Sequence, residues 1–78
     1  MRVEVRLPQW GMGMSEGIIT EWFKKVGDPV REDEPLAEIE SEKAAQELES
    51  PATGILVEIL AEPGDAIAVR TVIAIIET

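Results

Sequence analysis

Shifted by 37 positions, this chain falls on itself. GIITEWFKKVGDPV, from Gly17 to Val30, lies over GILVEILAEPGDAI, from Gly54 to Ile67. PLAEIES, from Pro35 to Ser41, lies over VIAIIET, from Val72 to Thr78. Eight of 25 aligned positions are identical without a gap: Gly17/Gly54, Ile18/Ile55, Glu21/Glu58, Gly27/Gly64, Asp28/Asp65, Ala37/Ala74, Ile39/Ile76 and Glu40/Glu77. Such a repeat implies two half-domains of one design. They are expected to give two similar sheets about a pseudo-twofold axis, stacked so that both bury an apolar face neither could bury alone.

The repeat unit reads as β-structure. Gly and Pro recur from Pro8 to Gly64, and the apolar runs between them have the length of strands. Val3 to Leu7 and Ala37 to Glu40 alternate with period two. Ile55 to Leu60 and Val72 to Ile76 are rich in β-branched residues, which suit a pleated surface. The window Glu38 to Ser50 has helix propensity, but its early alternation favours two short strands. Ile19 with Trp22, and Leu56 with Ile59, stand three residues apart. Strict alternation would put such partners on opposite faces, so each copy is expected to hold a β-bulge. Gly27-Asp28 and Gly64-Asp65 then make turns, the glycine free to take positive φ and the aspartate to bond nearby N–H groups.

At 78 residues the chain makes one small domain, expected to span residues 1–78. It has no Cys and no His, which removes disulfides, thiolate chemistry, the usual general base and the usual zinc ligand. A net charge of −9 argues against binding nucleic acid or an anionic membrane. Apolar runs are too short to span a bilayer. Met1-Arg2-Val3-Glu4 opens without an apolar leader, so the expected compartment is cytoplasmic, or the mitochondrial matrix for a longer eukaryotic chain. What is left is an acidic all-β domain with little catalytic equipment of its own.

Lys43 falls where the first repeat unit ends, which the axis places at the tip of a tight hairpin between the halves. The chain termini would then meet at the opposite end. Lys43 is the only basic residue between Arg31 and Arg70. Half the acids of the chain lie from Glu32 to Glu49. Surrounding carboxylates favour the protonated amine, so Lys43 is no spontaneous nucleophile. If it is used chemically, another protein must modify it.

EIESEKAAQELESP, from Glu38 to Pro51, with Gly54 beyond it, resembles the lipoyl-attachment segment of the biotinyl/lipoyl family. The resemblance covers the whole chain. LPQWGMGMSEGIITEW, from Leu7 to Trp22, is similar to the first strands and loop of lipoyl domains from acyltransferase components of 2-oxo acid dehydrogenase complexes, those of acetoin or pyruvate most of all. VGDPV and PGDAI resemble the family's two Gly-Asp turns. The resemblance implies a flattened barrel of two four-stranded sheets with internal pseudo-twofold symmetry. It implies that Lys43 carries lipoic acid on its ε-amine, attached by a lipoate ligase or lipoyl transferase. The arm then serves a thiamine-diphosphate-dependent decarboxylase, an acyltransferase catalytic domain and dihydrolipoamide dehydrogenase. It also implies that the loop with Met12, Met14, Ser15 and Glu16 is a partner surface, and that the flanks Glu42 and Ala44 are read during modification. Ser41 and Glu42 stand where Thr and Asp are commonest in the family. Biotinyl domains carry Met on both sides of the lysine, so Glu42 and Ala44 favour lipoyl.

Two alternatives stay open: a biotin carrier of the same fold, and an unmodified β-sandwich that mediates contacts. Gln46 lies where alternation from Ala44 and Leu48 turns a side chain inward, a place often apolar in lipoyl domains. Trp22 and Phe23 are expected as core and cover. Met12 and Met14 either close the end of the sandwich or face a partner. Glu32-Asp33-Glu34 lacks the spacing of a calcium loop and reads as a solvated edge, so no metal is expected.

Overall fold

The computed structural model describes residues 1–42 and 44–78. Among the described residues eight strands follow one another: β1 (Arg2–Arg6), β2 (Glu16–Trp22), β3 (Pro29–Val30), β4 (Pro35–Glu40), β5 (Ala45–Glu49), β6 (Gly54–Ile59), β7 (Ala66–Ala68) and β8 (Val72–Glu77). Among the described residues there is no helix, and the window from Glu38 to Ser50 forms two strands. The strands make two antiparallel four-stranded sheets, β1-β8-β6-β3 and β5-β4-β2-β7. The two similar sheets expected from the repeat, and the two four-stranded sheets that the resemblance implies, are therefore present.

The pseudo-twofold relates whole sheets, strand for strand: β1 to β5, β8 to β4, β6 to β2 and β3 to β7. Each sheet nevertheless borrows a short strand from the other repeat, since β3 pairs with β6 and β7 with β2. The two copies are laced together rather than merely stacked. Gly27 N donates to Leu56 O (2.7 Å) and Gly64 N donates to Ile19 O (2.7 Å). Both expected bulges occur, between Ile19 and Glu21 in β2 and between Leu56 and Glu58 in β6. Gly27 (φ 100°) and Gly64 (φ 95°) take the left-handed conformation. Asp28 and Asp65 each accept a bond from the backbone N–H three residues earlier, both at 2.9 Å.

The core follows the same axis. Ile19/Leu56, Leu36/Ile73, Ala37/Ala74 and Ile39/Ile76 are all buried, with Val5, Leu7, Val30, Leu48 and Ala61 completing the interior. Sheet-on-sheet burial of these side chains supplies most of the drive to fold. Trp22 packs half-buried on this core and donates from Nε1 to Ala61 O (2.9 Å), while Phe23 stays 40% exposed.

Symmetry breaks at one place. Measured at the strand ends, the offset is 43 residues from β1 to β5 (Arg6 to Glu49) but 37 from β2 to β6 (Trp22 to Ile59), and the β1–β2 connection has nine residues where its counterpart has four. The additional length forms the loop around Trp10 and Met12, at the same end of the molecule as the β4–β5 hairpin.

Candidate functional site: the β4–β5 hairpin and its neighbouring loop

β4 and β5 pair down to Glu40 and Ala45. Ser41 then closes the turn, its N–H (2.9 Å) and its Oγ (3.0 Å) both donating to Ala44 O. A hydroxyl at position 41 supplies this second bond, as Thr would. Glu40, Glu42 and Ala44 are exposed and Ser41 is half-buried. Lys43, the sequence candidate for modification, lies outside the described residues. Of its flanks, Glu42 and Ala44 face water.

Beside the hairpin runs a groove of about 790 Å³. Trp10, Met12, Met14 and Ile18 line it together with Glu40, Glu42, Ala44 and Gln46. The structure thus gathers Glu16, Met12, Met14 and Ser15 with Glu42 and Ala44 around one groove. It also separates the two methionines. Met12 is fully exposed, whereas Met14 packs against the core. Gly17 makes the room: a Cβ there would stand 2.7 Å from Ile39 Cγ2 and 3.3 Å from Met14 Cε. Glu16 is exposed at the start of β2, and Ser15, also exposed, accepts a bond from Val69 N (3.0 Å).

Gln46 departs from the burial expected of it. It sits opposite Ile39, on the inner face as alternation requires, yet it is exposed. β5 is an edge strand and the core ends at Leu48, so the amide opens into the groove. The acidic run also divides. Glu32 and Asp33 are solvated, while half-buried Glu34 accepts from Lys24 Nζ (2.9 Å) and Arg31 N (2.9 Å). These contacts, Lys24 first, hold the Glu34 carboxyl below its usual range. Among the described residues no acidic group is arranged to hold a metal ion. Two participants escaped the sequence reading altogether: Gln9 and Arg70, which bond to one another below the loop. They are far apart in the chain, and no local pattern joins them.

A two-sheet sandwich of this symmetry carries at one end a hairpin whose described flanks, Glu42 and Ala44, are exposed beside a groove. Comparison with known proteins gives the family. The family model described as "Biotin-requiring enzyme", of the biotin/lipoyl group, matches residues 3–76. The chain belongs to this family, and its relatives and fold place it with the lipoyl domains. It is 46% identical over 76 residues to the dihydrolipoyllysine-residue acetyltransferase component of the pyruvate dehydrogenase complex of Corynebacterium glutamicum, covering 97% of this chain and 11% of that protein. It is 40% identical over 77 residues to the dihydrolipoyllysine-residue succinyltransferase component of the 2-oxoglutarate dehydrogenase complex of Bartonella vinsonii, covering 99% of this chain and 19% of that protein. The chain thus spans between a tenth and a fifth of these curated relatives. The solved lipoyl domain of the 2-oxoglutarate dehydrogenase complex of Azotobacter vinelandii superposes with a TM-score of 0.79 at 25% identity, covering 97% of this chain and 96% of that one.

Proposed function

We propose that residues 1–78 form a single lipoyl carrier domain and that Lys43 is its attachment site. The observation that carries this reading is the bond that joins Ser41 to Ala44 at one end of the sandwich, with Glu42 and Ala44 exposed on either side of position 43. Lipoic acid fits such a tip. Glu42 and Ala44, the described flanks, are exposed. When attached, the lipoyl group supplies a dithiolane on a long arm, able to take up an acyl group at one active site and release it at another. The chain's own residues contribute placement: the paired strands β4 and β5 and the Ser41–Ala44 bonds fix both flanks of position 43 at one end of the sandwich. A tethered group gains effective concentration at each partner without any new contact.

On this reading the domain is a carrier and no enzyme. Its partners are a lipoate ligase or lipoyl transferase, a thiamine-diphosphate-dependent decarboxylase, an acyltransferase catalytic domain and dihydrolipoamide dehydrogenase, in the cytoplasm or a mitochondrial matrix. The relatives that bear such domains in pyruvate and 2-oxoglutarate dehydrogenase complexes support it. Glu42 and Ala44, where biotinyl domains have Met, favour lipoic acid over biotin. Intact-mass analysis after co-expression with lipoate ligase and biotin ligase tests the proposal. A lipoyl adduct that disappears in Lys43→Arg supports it. A biotin adduct, or no adduct, overturns it.

A further inference from the structure

The β1–β2 loop is anchored at both ends on one turn. Leu7 N donates to Thr71 O (3.0 Å), Arg70 N donates to Leu7 O (2.7 Å), and Val69 N donates to Ser15 O (3.0 Å). The residue at the centre of that turn is unexpected. Arg70 has φ 72°, in the left-handed region. Its repeat counterpart Asp33 has φ 70°, and aspartate is a residue that tolerates this region. A long side chain there bears a backbone cost with no local return, which points to work done by the side chain.

That work is visible. Arg70 Nη2 donates to Gln9 Oε1 (3.3 Å), and Gln9 Nε2 donates to Met12 O (3.2 Å). The Gln9 amide is thereby oriented from both ends. Arg6 Nη1 holds Arg70 O (2.9 Å), so the base of the relay is fixed. Met12, fully exposed, has no packing to hold it. We propose that Arg70 is a positioning residue, which through Gln9 sets the Met12 segment of the loop in the conformation that the decarboxylase reads. The recognition half rests on the carrier reading above; the bracing half does not.

The test uses Arg70→Gly, Gln9→Ala and the double variant. Glycine removes the guanidinium and relieves the backbone at once, so a merely structural role predicts unchanged or higher melting temperature and nothing else. Bracing predicts, in the unmodified domain, lower NMR order parameters for Gly11 to Gly13 in both single variants, with no further loss in the double. In the lipoylated domain it predicts a KM for reductive acylation about three- to tenfold higher with kcat unchanged, the scale of one lost ordering hydrogen bond. Unchanged loop order in Arg70→Gly overturns the proposal. A raised KM with unchanged order also overturns it, because Arg70 would then touch the partner itself. A wild-type domain that accepts no lipoyl group overturns the carrier reading, while loop order still decides the brace.

Discussion

Ser41 and Thr78 make the same pair of hydrogen bonds at opposite ends of the molecule. Ser41 bonds Ala44 O through its N–H (2.9 Å) and its Oγ (3.0 Å). Thr78 bonds Met1 O through its N–H (2.8 Å) and its Oγ1 (3.3 Å). The pseudo-twofold therefore maps the β4–β5 hairpin onto the point where the first and last residues meet. Met1 N lies 3.2 Å from Thr78 O and 3.7 Å from Glu77 Oε1. One end of the fold presents a turn, and the other presents the same geometry without a covalent link.

Two residues separate Ser41 from Ala44, so a two-residue peptide should join Thr78 to Met1 without strain. Closing the chain removes entropy from the unfolded state, as a disulfide across a long loop does. A gain of about 2–4 kcal/mol is expected. Urea titration of the circular and linear forms checks this. A circular form no more stable than the linear one would show that the ends do not hold hairpin geometry in solution.

Gly54 and Gly17 are required for different reasons, and alanine should separate them. A Cβ at Gly54 would overlap Glu77 O, a backbone atom fixed in the β6–β8 ladder. At Gly17 the obstacles are the side chains of Ile39 and Met14. Side chains can give way and a ladder carbonyl cannot. Gly54→Ala should cost more than about 3 kcal/mol and Gly17→Ala about 1–3 kcal/mol. Chemical denaturation measures both, and the reverse order would contradict this account.

These contrasts mark what the sequence could and could not disclose. The bulges were legible because Ile19–Trp22 and Leu56–Ile59 repeat one spacing in two copies. The Gly-Asp turns were legible because glycine and aspartate have local backbone effects. The exchange of β3 and β7 was not, since strands of two and three residues carry no period. Nor was the division between Met12 and Met14, which depends on the close approach of Met14 and Ile39 that Gly17, lacking a Cβ, allows. Gln46 shows the limit of alternation: it fixes the face of a residue, whereas burial depends on what the opposite sheet covers. The Arg70–Gln9 contact joins residues 61 positions apart and leaves no local trace. Lys43, the residue the sequence marked most clearly, lies outside the described residues.

Glu34 gives a pH dependence with a definite sign. Lys24 and the Arg31 N–H hold its carboxyl below the usual range. A group whose pKa is lowered by folding contributes stability above the unfolded-state value and loses it as pH falls through the folded one. Glu34→Gln should therefore be less stable than wild type at neutral pH. The difference should begin to shrink as pH falls through about 4, where the unfolded carboxyl protonates, and vanish only at lower pH, once the folded carboxyl is protonated too. Melting temperatures of both proteins from pH 7 to pH 2 check this, and a constant gap across that range would exclude the mechanism.

The two methionines of the loop should respond to alanine in opposite ways. Met14 packs on the core beside Gly17, so Met14→Ala opens space next to Ile39 and Leu7. A half-buried side chain stands below the full range for buried Met→Ala, and about 1–3 kcal/mol is expected. Met12 is fully exposed and its truncation empties nothing, so Met12→Ala should stay within about 0.5 kcal/mol of wild type. Function should divide the other way. An exposed thioether on the lip of the groove is adaptable apolar surface for a partner. In the lipoylated domain, Met12→Ala should raise the KM of the decarboxylase with kcat unchanged. The folded fraction of Met14→Ala should be acylated with a smaller change in KM. Thermal melts and acylation kinetics on the same preparations separate the two. If Met12→Ala lowers the melting temperature, Met12 is part of the lid. If neither variant alters KM, the partner approaches from elsewhere.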